Sequence, residues 1–186
     1  MSSDDQPGRP PVLVVVGGLP ATGKTTVGRA VARGLCAAYL RIDTIETAIA
    51  RSEGRFRESN DWELPPGYVT GYDLATDQLR LGLDVVAESV NPLPETRDAW
   101  RDAGLRAGAH VVEVEVVCSD PAEHRRRAEE RVLDIADLTK PTWDQVTQRE
   151  YHPWGREHLV IDTAVLDADE GADRVRAAVD AAPASH

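Results

Sequence analysis

Short runs of β-branched residues alternate along this chain with longer stretches of helical periodicity. Val12–Val16, Ala38–Ile42, Asp84–Glu88, His110–Val117 and His158–Ile161 have the length and residue types of strands. Between them the spacing predicts helices near Lys24–Leu35, Thr44–Arg51, Gly71–Leu81, Pro94–Ala107, Pro121–Val132, Trp143–Glu150 and Ala172–Ala181. Pro94 and Pro121 open their segments, where a missing N–H costs nothing. Strands alternating with helices imply an α/β fold around a parallel sheet. In the fourth strand Glu113 and Glu115 interleave with valines, which predicts one water-facing side there.

Neither repeats nor an internal linker divide the chain. Its 186 residues suit one domain, expected over 12–181, with frayed, disordered tails at 1–11 and 182–186. Hydrophobic residues at 41% and charged residues at 28% are ordinary globular values. The net charge of −11 disfavours a nucleic-acid partner, because phosphate backbones are repelled at long range. Cys36 and Cys118 lack metal-ligand spacing and read as buried free thiols. The first eleven residues hold no apolar stretch of signal-peptide type, and Val12–Val16 is too short to cross a bilayer, so a cytoplasmic protein without membrane contact is expected.

One motif dominates the chemistry. Gly18-Leu19-Pro20-Ala21-Thr22-Gly23-Lys24-Thr25 fits Gly-x-x-x-x-Gly-Lys-Ser/Thr, follows a strand and opens a helix. Glycines let successive N–H groups turn inward onto phosphate oxygens, and the helix N-terminus adds its positive end. Lys24 would reach the β- and γ-phosphates, Thr25 would ligate magnesium, and Thr26 completes the loop. Lys24 and Lys140 are the only lysines, so chance matches arise on the order of once in a thousand such sequences.

In open α/β sheets ligands gather beyond the carboxyl ends of the strands. Arg41-Ile42-Asp43 follows the second strand there, Glu88-Ser89 the third, Cys118-Ser119-Asp120 the fourth and Asp162-Thr163 the fifth. Asp43 is the candidate general base, or else the N-cap of the helix it precedes. Glu88 is the candidate magnesium-shell or substrate residue, with a turn cap as the plainer reading. Arg125, Arg126, Arg127 and Arg131 crowd one helix, and Arg127 and Arg131, four apart, share a face that a polyphosphate would neutralise. The alternative is a solvated basic face paired with Glu123, Glu129 and Glu130. The five histidines show neither metal spacing nor a nucleophile partner.

The phosphate loop, Arg41-x-Asp43 and Glu88-Ser89-Val90-Asn91-Pro92 together resemble the P-loop kinase branch that includes polynucleotide kinase domains, gluconate-kinase-like enzymes and chloramphenicol phosphotransferase. Polynucleotide kinases commonly carry an Asp-x-Thr-Asn-Pro-like string at this third strand; here glutamate and valine replace the aspartate and threonine. The resemblance spans roughly 12–163. It implies a P-loop NTPase three-layer α/β/α sandwich with a five-stranded parallel sheet of order 2-3-1-4-5. It also implies a helical lid over about 125–150, with Arg127 and Arg131 in it, and Asp43 as acid/base residue.

The expected activity is transfer of the γ-phosphate of ATP, with Mg2+, to a hydroxyl of a small-molecule acceptor such as a metabolite or antibiotic. A nucleoside or polynucleotide 5′-hydroxyl kinase and an ATPase or regulator without an acceptor are the alternatives. No Asp-x-x-Gly follows the phosphate loop and no Asn-Lys-x-Asp occurs, as a GTPase would need, and no Leu-Ser-Gly-Gly supports a transporter ATPase. The acceptor is expected over 46–72, near Arg41, Asp43, Glu88 and Asn91, with Trp62, Tyr68 and Tyr72 as rings that stack on it or fill the core. Arg51, Arg55 and Arg57 would suit an anionic acceptor, and Glu58, Asp61 and Glu63 a cationic one. The sequence leaves that choice open, along with the oligomeric state.

Overall fold

The computed structural model describes residues 9–54 and 66–181. Five strands, β1 (Val12–Gly17), β2 (Ala38–Arg41), β3 (Val85–Glu88), β4 (His110–Val117) and β5 (Leu159–Asp162), form one parallel sheet of order β2-β3-β1-β4-β5. The helices are α1 (Lys24–Leu35), α2 (Ile42–Ser52), α3 (Pro66–Arg80), α4 (Pro94–Arg106), α5 (Pro121–Glu130), α6 (Trp143–Thr147) and α7 (Ala168–Asp180). The registers Val16↔Glu88 and Arg41↔Glu88 align the carboxyl ends of the three strands around β1. This is the three-layer architecture expected for the sequence.

Side chains alternate across the central strand, and that alternation makes the two outer layers. Val12, Val14 and Val16 pack under α1 and α7 with Val27, Val31 and Val175. Leu13 and Val15 face the other way, onto Ile42, Ala75, Leu79 and Trp100 from α2, α3 and α4. Trp100 is fully buried, with the Tyr72 ring edge-on at 4.6 Å.

Several expectations need correction. Helix α3 starts at Pro66, ahead of the predicted Gly71, because Gly67 and Gly71 serve close packing there. A Cβ at Gly71 would lie 2.4 Å from Ile42 Cδ1. Glu113 does not face water: it is 5% exposed and holds the Arg156 guanidinium through both oxygens, at 2.6 and 2.8 Å. Glu115 meets His158 Nε2 at 3.2 Å. The apparent wet face is an ion-paired face covered by the segment before β5. Cys36 is exposed, because it caps α1 in the left-handed region, φ 53°, and Cys118 is half-buried. Arg9 pairs with Asp84, whose Oδ1 also accepts the N–H of Val12 at 2.8 Å. The rest of the expected tails, 1–8 and 182–186, and residues 55–65 of the expected acceptor stretch, including Trp62, lie outside the described residues. Among the described residues no helix is long and apolar enough to cross a membrane.

Candidate active site

The loop joining β1 to α1 is shaped by three residues with positive φ: Gly18 at 142°, Ala21 at 65° and Gly23 at 94°. A Cβ on Gly18 would come within 2.3 Å of the Val116 carbonyl, so only glycine lets the loop cross the sheet edge there. Gly23 caps α1, which begins at Lys24 with its first N–H groups beside the loop. Leu19 O accepts from the Thr22 hydroxyl at 2.9 Å and from Lys24 Nζ at 3.3 Å. Burial lowers the Lys24 pKa; the charges of Glu88 and Asp43 oppose the shift, and Arg131 and Arg41 add to it.

The loop is braced from outside. Thr163, just past β5, donates to Thr22 O at 2.7 Å and accepts from Arg127 Nη1 at 2.8 Å. His124 of α5 donates through Nε2 to Pro20 O at 2.8 Å, its ring edge-on to Trp143. Trp154 lies over Gly17, where a Cβ would meet its ring at 2.7 Å. A cavity of about 470 Å³ opens over Gly23, Lys24, Thr25 and Thr26, and its far wall is Arg126, Arg127, Glu130, Arg131, Val132 and Asp134.

Glu88 ends β3 on the other side of Lys24 and is 1% exposed. Its Oε1 accepts from the Thr25 hydroxyl at 2.7 Å, its Oε2 accepts from the Tyr39 hydroxyl, and Arg41 Nε stands 3.7 Å from Oε2. Burial, and then the Glu88 charge, raise the Tyr39 pKa well above its ordinary value, so the phenol remains a donor. Among the described residues no group of three or more His, Cys, Asp or Glu could hold a metal. The donor set beside the loop, one hydroxyl and one carboxylate, is all oxygen and leaves room for water and phosphate ligands, which suits magnesium.

Asp43 is not the cap of α2. The helix begins two residues earlier than expected, at Ile42, with Arg41 in the extended N-cap position, and Asp43 lies in the first turn, half-buried. Its charge acts on Lys24, Arg41 and Tyr68. Arg41 is buried, with Nη1 on both oxygens of Asp134 at 2.8 and 3.0 Å, while its Nε and Nη2 make no hydrogen bond. Burial alone would lower the Arg41 pKa; the Asp134 hydrogen bond and the charges of Glu88, Asp134 and Asp43 raise it instead.

The arginine cluster divides. Arg125 pairs with Glu129, and Arg126 with Glu123 and Glu130, as a solvated face would. Arg127 is tied to Glu123 and Thr163, and the hydrogen bonds from Arg126 and Arg127 hold Glu123 down to about 2. Helix α5 stops at Glu130, so Arg131 has left the helix (ψ 126°) and the shared face with Arg127 does not form. Arg131 lines the cavity nonetheless, and its charge reaches Lys24. Of the two roles open to Tyr72, the structure shows the core one: it is buried against Trp100 with its hydroxyl on Thr96 O, and the acceptor contact expected of it is not seen. Asn91 is fully buried at φ 51°, with Oδ1 accepting from Ser89 and Nδ2 without a partner.

A residue that the sequence does not single out organises that corner. Arg97 of α4 is 2% exposed and, among the described residues, donates only to carbonyls: Asn91, Pro92, His152 and Pro153, at 2.6 to 3.1 Å. Its guanidinium lies 4.6 Å from the Trp154 ring centre. Backbone acceptors leave no trace in a residue pattern, so nothing in the sequence marks this clamp. His124 and Asp134 are likewise unmarked in the sequence, whereas Thr163 is visible there as a polar residue at the carboxyl end of the fifth strand.

A glycine-shaped loop between the first strand and first helix of a 2-3-1-4-5 parallel sheet, with a buried lysine and a hydroxyl–carboxylate pair beside it, defines a protein of P-loop kinase-like fold. The chain belongs to the AAA domain family AAA_33, whose model matches residues 13–153. No curated protein matches it in sequence. Among solved structures it is similar to the APS kinase of Mycobacterium tuberculosis in complex with AMPPNP and APS, with a TM-score of 0.71 and 20% identity over 94% of this chain and 100% of that one. A sugar kinase from Janibacter sp. gives 0.67 and 18% over 95% and 100%, and a gluconokinase from Sinorhizobium meliloti 0.58 and 17% over 92% and 97%. At these identities the likeness establishes the fold.

Proposed function

We propose that the chain is an ATP- and Mg2+-dependent phosphotransferase that moves the γ-phosphate to a hydroxyl of a small-molecule acceptor, with 12–181 as the catalytic domain and about 125–150 as its lid. The carrying observation is the glycine-shaped loop with Lys24 buried at its end, the Thr25 hydroxyl on Glu88 Oε1 at 2.7 Å beside it, and a cavity over both that Arg127 and Arg131 line. Asp43 stands at the start of α2.

In this reading the loop from Gly18 to Thr26 holds the phosphates through the N–H groups of Leu19, Ala21, Gly23, Lys24 and Thr25, those of Gly18, Thr22 and Thr26 being spent on the carbonyls of Val90, Leu19 and Gly23, and the Lys24 ammonium reaches the β- and γ-groups. Pro20 contributes its carbonyl to His124 and so keeps the loop in place. Thr25 would ligate magnesium with Glu88 behind it, and the ion, when bound, neutralises charge between the β- and γ-phosphates. Arg131, and Arg127 once released from Thr163, approach the terminal phosphate from the lid and exclude water. Asp43 accepts the proton of the acceptor hydroxyl. Arg41 and the loop at Asn91 border the acceptor.

The test is ADP release with and without a panel of hydroxyl compounds. Release that depends on one acceptor class, with the phosphate recovered on that acceptor, supports the proposal. A steady rate indifferent to every acceptor would make the chain an ATPase.

A further inference from the structure

Arg41 is a cation with an incomplete set of partners. Its side chain is 3% exposed, yet Nε and Nη2 lack hydrogen bonds, a costly state for a buried guanidinium. Glu88 is a second counter-charge, but its Oε2 stands 3.7 Å from Arg41 Nε, too far for a hydrogen bond. The only hydrogen-bonded counter-charge on Arg41 among the described residues is Asp134, 93 positions away, and Asp134 is 42% exposed. Asp134 also takes Arg29 Nη2 at 2.5 Å, and the two arginine hydrogen bonds help hold its carboxyl well below the usual range.

Asp134 sits on an irregular connection between α5 and α6, without strand or helix bonds to fix it. A second ion pair, Arg51 to Asp137 at 3.3 Å, fastens the same connection to α2. Asp134 lines the cavity over Lys24, and Arg41 does not. A carboxylate on an irregular, exposed segment therefore stands between a buried, under-bonded arginine and the cavity over Lys24. The Arg29–Asp134 pair is exposed on both sides and weak, and in the Arg41–Asp134 pair only the carboxylate reaches solvent, so Asp134 is the partner that can be exchanged while the buried cation must always face an anion. A guanidinium fork with free N–H groups prefers an oxyanion with several oxygens to one shared carboxylate.

Building on the kinase reading, we propose that Arg41 and Arg29 form an anion subsite for the phosphoryl acceptor, and that Asp134 occupies it as a placeholder until an acceptor bearing a phosphate, sulfate or carboxylate group displaces it. The acceptor is then a hydroxyl compound that carries its own negative charge. Its anionic group docks on Arg41, its hydroxyl meets Asp43, and expelling Asp134 frees the connection to move with the lid.

The experiment uses sulfate as probe on the full chain saturated with AMPPNP and magnesium, so that the phosphate loop is already filled. Calorimetry first records nucleotide binding; its failure would overturn the kinase reading and this inference with it. With nucleotide bound, sulfate is titrated against sodium chloride at matched ionic strength while amide exchange is followed over 131–138. Sulfate, and not chloride, should speed exchange there. Asp134→Asn should bind sulfate about five- to tenfold more tightly, the worth of the two ion pairs lost with Asp134. Arg41→Gln should abolish the response, and if that variant does not fold, the exposed Arg29→Gln should weaken it severalfold. In the acceptor panel, anionic hydroxyl compounds should outrank neutral polyols. Equal opening by chloride, unchanged sulfate affinity in Asp134→Asn, or a neutral polyol as best acceptor would each overturn the anion subsite while leaving the kinase reading intact.

Discussion

The Thr25 hydroxyl donates to Glu88 Oε1 at 2.7 Å, joining the start of α1 to the end of β3 across 63 residues of sequence. The parallel register Val16↔Glu88 brings them together, since it puts the carboxyl end of β3 level with the strand that feeds the loop. In the proposed reaction this hydroxyl would ligate magnesium, with the buried carboxylate behind it as its outer partner. Thr25→Ala and Glu88→Gln should each raise the magnesium concentration for half-maximal turnover by about 10- to 100-fold. Thr25→Ser, which keeps the hydroxyl, should restore most of it. Titrating magnesium at fixed ATP decides the matter, and an unchanged requirement in both variants would remove the pair from the metal site.

Asp43 carries the proton in the proposed reaction, so its loss should separate binding from chemistry. Asp43→Asn keeps the volume and a helix-compatible side chain in the first turn of α2. Nucleotide affinity should stay within a few-fold of wild type while acceptor-dependent turnover falls by about 10²–10⁴. Single-turnover kinetics with saturating acceptor isolates the step. Wild-type turnover would leave Asp43 with a purely electrostatic role.

Arg97 joins the loop after β3 to the segment at His152 and Pro153 through four carbonyl acceptors. Lysine cannot reproduce a planar fork that also lies against Trp154. Arg97→Lys should therefore lower the unfolding free energy by about 2–3 kcal/mol, as expected when buried carbonyls lose donors. Chemical denaturation measures this directly; a variant as stable as wild type would show that water replaces the missing donors.

Those three sites were legible to different degrees, for a physical reason. The phosphate loop and α1 depend on local chemistry, glycine torsions and apolar spacing, so Lys24–Leu35 was predicted with the limits that the structure shows. Strand positions were also visible, because buried parallel strands read as continuous apolar runs. What failed was long-range pairing. Glu113 looked solvated because Arg156, its partner, lies 43 positions later. Arg127 and Arg131 looked like one face because nothing local announces that the helix ends at Glu130. Tyr72 could stack or fill a core, and only the placement of Trp100 decided it. Asp134 could not be linked to Arg41 from spacing at all.

Lys24 gives the last prediction, and its sign follows from its burial. The folded state lowers the lysine pKa, so the charged ammonium destabilises the nucleotide-free fold. That penalty is complete below the folded pKa and fades as pH rises through it toward the ordinary lysine value. Lys24→Met removes the charge and keeps an aliphatic stem. Without nucleotide it should melt a few degrees above wild type, on the order of 1 kcal/mol, as happens when functional groups are removed from strained sites. The gap should narrow as pH is raised from 7 toward 10. ATP with magnesium should reverse the order by stabilising wild type alone, since a ligand that binds only the folded state raises its melting temperature. Calorimetric scans across pH, with and without nucleotide, test each part. A Lys24→Met protein that melts below wild type without nucleotide would mean that the Leu19 carbonyl and the nearby carboxylates compensate the buried ammonium fully.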